Sequence, residues 1–169
     1  PSHLTADPDV KARFEREAKA ISQLTHPHIC TLYDVGSEGG VEYLVMELLE
    51  GQTLADRLEK GPLPTEQVLK FGVEIADALD RAHRAGIVHR DLKPGNVMIT
   101  RSGVKLLDFG LAKIADVGTP SELSSLPTQA SQPLTARGAV MGTFQYMAPE
   151  QLEGKEADAR TDIFALGCV

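Results

Sequence analysis

Cysteine is scarce: Cys30 and Cys168 are the only two in a chain of 169 residues. They stand far apart and in no CxxC or metal-ligand spacing, which excludes a disulfide framework or a structural zinc site and makes a reducing, cytoplasmic compartment the default. Long apolar runs are missing as well. The longest, around Tyr43 to Leu49, is interrupted by Glu47 and falls far short of the roughly 20 residues that a membrane-spanning helix needs. No signal-peptide pattern is visible, so any membrane contact would come through segments outside this chain. Basic residues are outnumbered, with 17 Lys and Arg against 24 Asp and Glu, a net charge of -7. That balance argues against an electrostatic nucleic-acid binder, and a phosphate-handling site would have to place its cations locally. Internal repeats are absent. The chain starts at Pro1 and stops in an apolar run, Asp162 to Val169, without a helix-stop signal, so both ends read as cuts.

What is present reads as one α+β domain with a hydrophobic share of 42%, enough for a substantial core. Asp7-Pro8 has the form of a helix start, and Phe14, Ala18, Ile21 and Leu24 recur at helical spacing, with Glu17 on the same inner face. His26-Pro27 breaks that helix. Ile29 to Val35 and Val41 to Leu49 are β-rich runs, predicted to pair antiparallel across Gly39-Gly40. A helical patch covers Leu54 to Leu58. A stronger helix is predicted from about Thr65, with Val68, Gly72, Ile75, Leu79 and Ala82 as its buried stripe and Gly86 as its stop. Asn96 to Thr100 and Val104 to Leu107 read as a hairpin across Arg101-Ser102-Gly103, which brings Asp91 and Asp108 toward one site. From Ile114 to Val140 periodicity is lost in a stretch rich in Ser, Thr, Pro, Gln and Ala, as in a functional loop.

Three segments carry chemistry. His89-Arg90-Asp91-Leu92-Lys93-Pro94-Gly95-Asn96 resembles the catalytic loop of protein kinases, with Asp and Asn at the spacing that family requires. Asp108-Phe109-Gly110, after a short apolar run, resembles the magnesium-binding motif of the same family. Gly142 to Glu150, ending in Ala148-Pro149-Glu150, resembles the close of a kinase activation segment. Alone the tripeptide at 108 would mean little, but three motifs in order and at family spacing exclude coincidence.

The resemblance is to serine/threonine protein kinases of the eukaryote-like bacterial type, and it covers nearly the whole chain. It implies a two-lobed α+β fold, truncated at both ends, with residues 1–49 as the rest of the smaller lobe and hinge and 50–169 as the first part of the larger. It implies ATP and Mg²⁺ as cofactors and protein Ser/Thr hydroxyls as acceptors. On the matching positions, Asp91 accepts the hydroxyl proton, Lys93 offsets phosphoryl charge, and Asn96 and Asp108 hold metal. Around ATP, Glu17 pairs with a strand lysine, Met46 is the gatekeeper, Glu47 and Leu49 offer hinge backbone groups, and Met98 forms the adenine floor. Leu32, Ile21, Phe109 and His89 would stack as a column between the lobes, and Asp162 would anchor the catalytic loop. No glycine-rich phosphate loop and no strand lysine are found here, and Glu150 would lack its usual arginine partner, so the chain alone is expected to be nearly inactive. Two other readings share parts of this pattern: a pseudokinase scaffold, and a small-molecule phosphotransferase of related fold. The intact Asp91, Asn96 and Asp108 disfavour the first, and the Ala148-Pro149-Glu150 ending disfavours the second.

Overall fold

The computed structural model describes residues 18–38, 41–109 and 144–169. Helix α1, described over residues 18–22, buries Ala18 and Ile21, and Leu24 is buried just beyond it. Phe14 and Glu17, expected on the same face, lie outside the described residues, as do the loop from Ile114 to Val140 and Thr143. Strands β1 (Leu32–Glu38) and β2 (Val41–Met46) pair antiparallel in register from Leu32↔Met46 to Glu38↔Val41. The ladder shifts between Leu32 and Asp34, leaving Tyr33 as an extra residue that turns 64% exposed; such a bulge re-aims the side chain it carries.

The first β-run begins later than its composition predicts. Ile29 makes a parallel bridge to Leu106, the Cys30 N–H donates to the Leu106 carbonyl at 2.9 Å, and the Leu106 N–H donates to the His28 carbonyl at 2.9 Å. The backbone groups of this segment are thereby spent on a distant strand, and that pairing joins the two sheets. The second sheet has the order β3 (Gly51–Thr53), β4 (Val97–Thr100), β5 (Gly103–Leu106), all antiparallel. The predicted hairpin is therefore present, with Thr100 opposite Gly103 and only Arg101 and Ser102 between them. Asn96 is not part of it: with Pro94 fixing the first position, residues Pro94–Asn96 form a single 3-10 turn.

Thr53 ends β3 and caps α2 (Leu54–Leu58), its hydroxyl accepting the Asp56 N–H at 3.0 Å while the Asp56 carboxylate takes the Thr53 N–H at 3.2 Å. This reciprocal pair satisfies two of the donors a helix start leaves open. Helix α3 (Thr65–Arg84) buries Ile75, Ala78, Leu79 and Ala82 against β5 and the last helix. Val68 was expected in that stripe but is half exposed, because the first turns run past the elements that cover the C-terminal half. The helix ends as expected at Gly86, in a left-handed conformation with φ of 75°. The Gly86 N–H reaches the His83 carbonyl at 2.9 Å and the Ile87 N–H reaches the Ala82 carbonyl at 3.0 Å, the two bonds of a Schellman stop.

A 3-10 turn (Phe144–Tyr146), the short helix α4 (Pro149–Leu152) and helix α5 (Ala159–Cys168) complete the described chain. Asp158 caps α5 by accepting the Arg160 N–H at 2.8 Å. One core of buried apolar residues, among them Leu24, Ile29, Ile75, Leu79, Leu92, Val97 and Leu106, runs from α1 through α3 to the second sheet. Each such side chain contributes about 1.5–3 kcal/mol on burial, so this packing, rather than the short sheets, holds the catalytic-loop segment in place.

Candidate active site

The segment from His89 to Asn96 follows the stop of α3 and precedes β4, so it is held between a packed helix and a paired strand. Its backbone is unusual at Arg90, which has φ of 65°, in the left-handed region that non-glycine residues rarely enter. Buried hydrogen bonds hold it there. Asp162 of α5, 1% exposed, accepts the His89 N–H at 2.8 Å with Oδ2 and the Arg90 N–H at 2.8 Å with Oδ1. The same Oδ2 lies 2.7 Å from His83 Nε2. Asp162 therefore occupies the anchoring position expected of it.

Three of the expected chemical residues converge. The Lys93 ammonium donates to Asp91 Oδ2 at 2.7 Å, and Asn96 Nδ2 donates to the same oxygen at 3.0 Å and to the Asp91 carbonyl at 2.8 Å. With its NH₂ group committed to Asp91, the Asn96 amide keeps Oδ1 as its acceptor end. The Leu107 N–H donates to the Asn96 carbonyl at 2.9 Å, closing the open end of the β4–β5 hairpin. That bond sets Asp108, the next residue, beside Asn96. Asp108 is exposed and also left-handed, with φ of 49°.

The four residues of the expected column, His89, Phe109, Leu32 and Ile21, are all buried, and Ile21, Leu32 and Phe109 line one cavity. The His89 and Phe109 rings lie 4.7 Å apart between centroids, tilted by 41°. The Asp91 N–H points to His89 Nδ1 at 3.3 Å, which makes Nδ1 the acceptor and leaves the ring proton on Nε2. Burial holds the imidazole pKa below its usual range, and with Nδ1 taken by the Asp91 N–H and the ring packed on Phe109, His89 serves as a neutral packing residue.

Around the expected adenine site, Met46 and Asp108 line one cavity together with Ile21, Cys30, Leu32, Leu44 and Phe109. The Glu47 carboxylate is turned to Lys105 Nζ at 2.8 Å and to the Thr31 N–H at 3.3 Å, and its own N–H donates to the Thr31 carbonyl at 2.9 Å, so the backbone group it could offer elsewhere is its carbonyl. Lys105 holds that carboxyl below its ordinary range. The neighbouring Cys30 thiol, 3.8 Å from the Glu47 carbonyl, is pushed up by burial and by Glu47 itself. Leu49 is half-buried in the connection between the two sheets, and Met98 is half-buried on β4 opposite Thr53 and Lys105. Glu17 lies outside the described residues.

Several partners went unnoticed in the sequence: His83 on Asp162, Lys105 on Glu47, Thr161 on Glu150 at 2.7 Å, and Gln151 on the Arg90 carbonyl at 2.8 Å. Only Gln151 left a usable signal, three residues beyond Ala148 where a capping glutamine belongs.

Residues 3–169 match the protein kinase domain family. The chain is 41% identical over 173 residues to the serine/threonine-protein kinase PknB of Mycobacterium leprae, covering 98% of this chain and 26% of that protein. It is 39% identical to PknB of Mycolicibacterium smegmatis with the same coverage. Among solved structures, the Mycobacterium tuberculosis PknI kinase domain superposes with a TM-score of 0.71 at 31% identity, over 98% of this chain and 56% of that one. The chain thus belongs to the protein kinase family, and its architecture is part of the α+β kinase fold. It spans about a quarter of the length of the curated relatives it matches.

Proposed function

We propose that the protein transfers the γ-phosphoryl group of ATP to serine or threonine hydroxyls of other proteins. One observation carries the reading: a single carboxylate, Asp91, flanked at 2.7 Å by a lysine and at 3.0 Å by an asparagine amide, on a loop whose backbone is pinned by a buried aspartate. The relatives' names, serine/threonine-protein kinases, support this reading over a pseudokinase scaffold.

Asp91 orients the acceptor hydroxyl and takes its proton as the oxygen attacks the γ-phosphorus, while the bond to the β-phosphate oxygen breaks and ADP leaves. Lys93 supplies a cation beside that carboxylate, where charge accumulates on the phosphoryl oxygens. The donors fit magnesium: Asn96 Oδ1 and the Asp108 carboxylate are hard oxygens on neighbouring backbone, and Mg²⁺ is ordinarily held by one or two carboxylates together with phosphates and water. When bound, the ion neutralises phosphate charge. Met46, the backbone of Glu47 and Leu49, and Met98 would receive the adenine, with Glu17 serving the phosphates through a lysine. The scarcity of cysteine and the acidic balance support a cytoplasmic kinase domain acting on protein rather than nucleic acid.

The test is Mg·ATP-dependent phosphate incorporation by the full-length protein beside its Asp91→Asn variant, with modified residues mapped by mass spectrometry. Incorporation on Ser or Thr should fall by about 10²-fold or more in the variant. Equal incorporation by both would refute the assignment and favour a scaffold.

A further inference from the structure

Gln151, the residue after Ala148-Pro149-Glu150, ties two parts of the site together through its amide. Nε2 donates to the Arg90 carbonyl at 2.8 Å, and Oε1 accepts the Ala148 N–H at 3.2 Å. The Arg90 carbonyl and the Asp91 N–H are opposite edges of one peptide plane. Its N–H edge is held by His89 Nδ1 at 3.3 Å, and its C=O edge is held by Gln151. The plane before it is held through the Arg90 N–H by Asp162.

We infer that Gln151 is a positioning residue for Asp91: it locks the peptide that carries the catalytic carboxylate and makes that lock depend on the segment closing the activation loop. The inference rests on the phosphotransfer reading of Asp91. The physical need for such a lock lies in Arg90. A left-handed non-glycine residue costs free energy and persists only where its surroundings over-determine it. Asp162 fixes one side of Arg90; without Gln151 the following peptide loses the hold on its carbonyl edge, and rotation about the Arg90 ψ bond against the longer 3.3 Å contact to His89 would carry the Asp91 side chain away from Lys93 and Asn96. Small misplacements of reacting groups cost large factors in rate. Gln151 is suited to the task because a primary amide donates and accepts at once, so one side chain joins a carbonyl on the catalytic loop to an N–H at the start of α4. The junction is shared: Gln151, Arg90, Asp91, Tyr146, Thr161 and Asp162 line the same small cavity.

Two variants of the full-length protein separate this from a purely structural role, with wild type and Asp91→Asn as references. Gln151→Met keeps the length and removes both hydrogen bonds. Gln151→Glu keeps an acceptor for Ala148 but sets a carboxylate oxygen against the Arg90 carbonyl. For Gln151→Met, kcat should drop by roughly 10-fold or more with KM for ATP unchanged, since orientation rather than nucleotide binding is lost. For Gln151→Glu, the ratio of its kcat to that of wild type should rise several-fold between about pH 8 and about pH 5.5: at this half-buried position the Arg90 carbonyl it faces and the carboxylates of Asp91 and Asp162 disfavour the charged form, against the Arg90 cation lining the same cavity, and the protonated form can donate again. If the methionine variant melts early, the pH ratio of the glutamate variant decides. A kcat within about two-fold of wild type for the methionine variant, or a pH-independent ratio for the glutamate variant, while Asp91→Asn is inactive, overturns the inference and leaves the kinase reading intact. An active Asp91→Asn protein overturns both.

Discussion

Removing the carboxylate of Asp162 should be among the costliest single changes available in this chain. The side chain is 1% exposed and accepts three hydrogen bonds, from His83 Nε2 at 2.7 Å and from the main-chain N–H groups of His89 and Arg90 at 2.8 Å each. Alanine would leave two main-chain donors without an acceptor, and each such buried orphan costs about 1–3 kcal/mol. Removing the charge relieves its own desolvation, yet breaking one side of a buried charged network still costs about 3–5 kcal/mol in net. That is a large part of the roughly 5–15 kcal/mol by which a domain is stable. Asp162→Asn keeps the shape and one acceptor oxygen but turns an NH₂ group toward a donor, so its cost should be smaller, about 2 kcal/mol. Denaturant unfolding of the full-length protein and its two variants, followed through the kinase-domain transition, measures both. An alanine variant losing less than about 1 kcal/mol would refute the claim that these bonds hold Arg90 in its left-handed state.

Two glycines with positive φ should respond differently to alanine. At Gly86, φ is 75° with nothing near the added methyl group, so Gly86→Ala should cost only the conformational penalty of about 1–2 kcal/mol. At Gly103, φ is 121° and a Cβ would meet the Glu74 carboxylate at 2.9 Å, the same group that accepts the Val104 N–H at 2.9 Å. Gly103→Ala should therefore lower the melting temperature more than Gly86→Ala, and equal shifts would sink the argument. For Glu47, the Lys105 bond lowers the folded pKa below its unfolded value, so its stabilisation is present above the ordinary glutamate range and vanishes as pH falls through the depressed value. Lys105→Met should accordingly be less stable than wild type at neutral pH, with the gap closing in acid; a gap that widens in acid would contradict this.

Much of the site was legible because its motifs are contiguous. Asp91, Lys93 and Asn96 fall within six residues, close enough in sequence for one loop to bring them together, although the bonds that hold the loop in that shape come from Asp162 and Gln151. The column of Ile21, Leu32, His89 and Phe109 was readable only through resemblance, since nothing in the spacing of four scattered residues requires a stack. Strand β3 escaped notice because Gly51, Gln52 and Thr53 show no alternation; their strand character comes from pairing with β4. Val68 was misplaced because helical periodicity marks a face without saying how far along the helix a neighbour extends. The spacing of Gln151 from Ala148 announces its capping bond, but its second bond spans 61 residues of sequence and ends on a carbonyl, an acceptor every residue has, so no side-chain pattern could announce the tie to Arg90.

The hairpin flanked by Asn96 and Asp108 has its closing bond, Leu107 N–H to Asn96 carbonyl, at the end nearest the site and its turn, Arg101-Ser102, at the other. The gap between the two residues proposed to hold magnesium is thus set at the mouth of the ribbon and is independent of the ribbon's length. A peptide tag or fluorophore-bearing insert placed between Arg101 and Ser102, both exposed, should lengthen the far end without altering the span between Asn96 and Asp108, making this turn a natural place to fit the domain with a reporter.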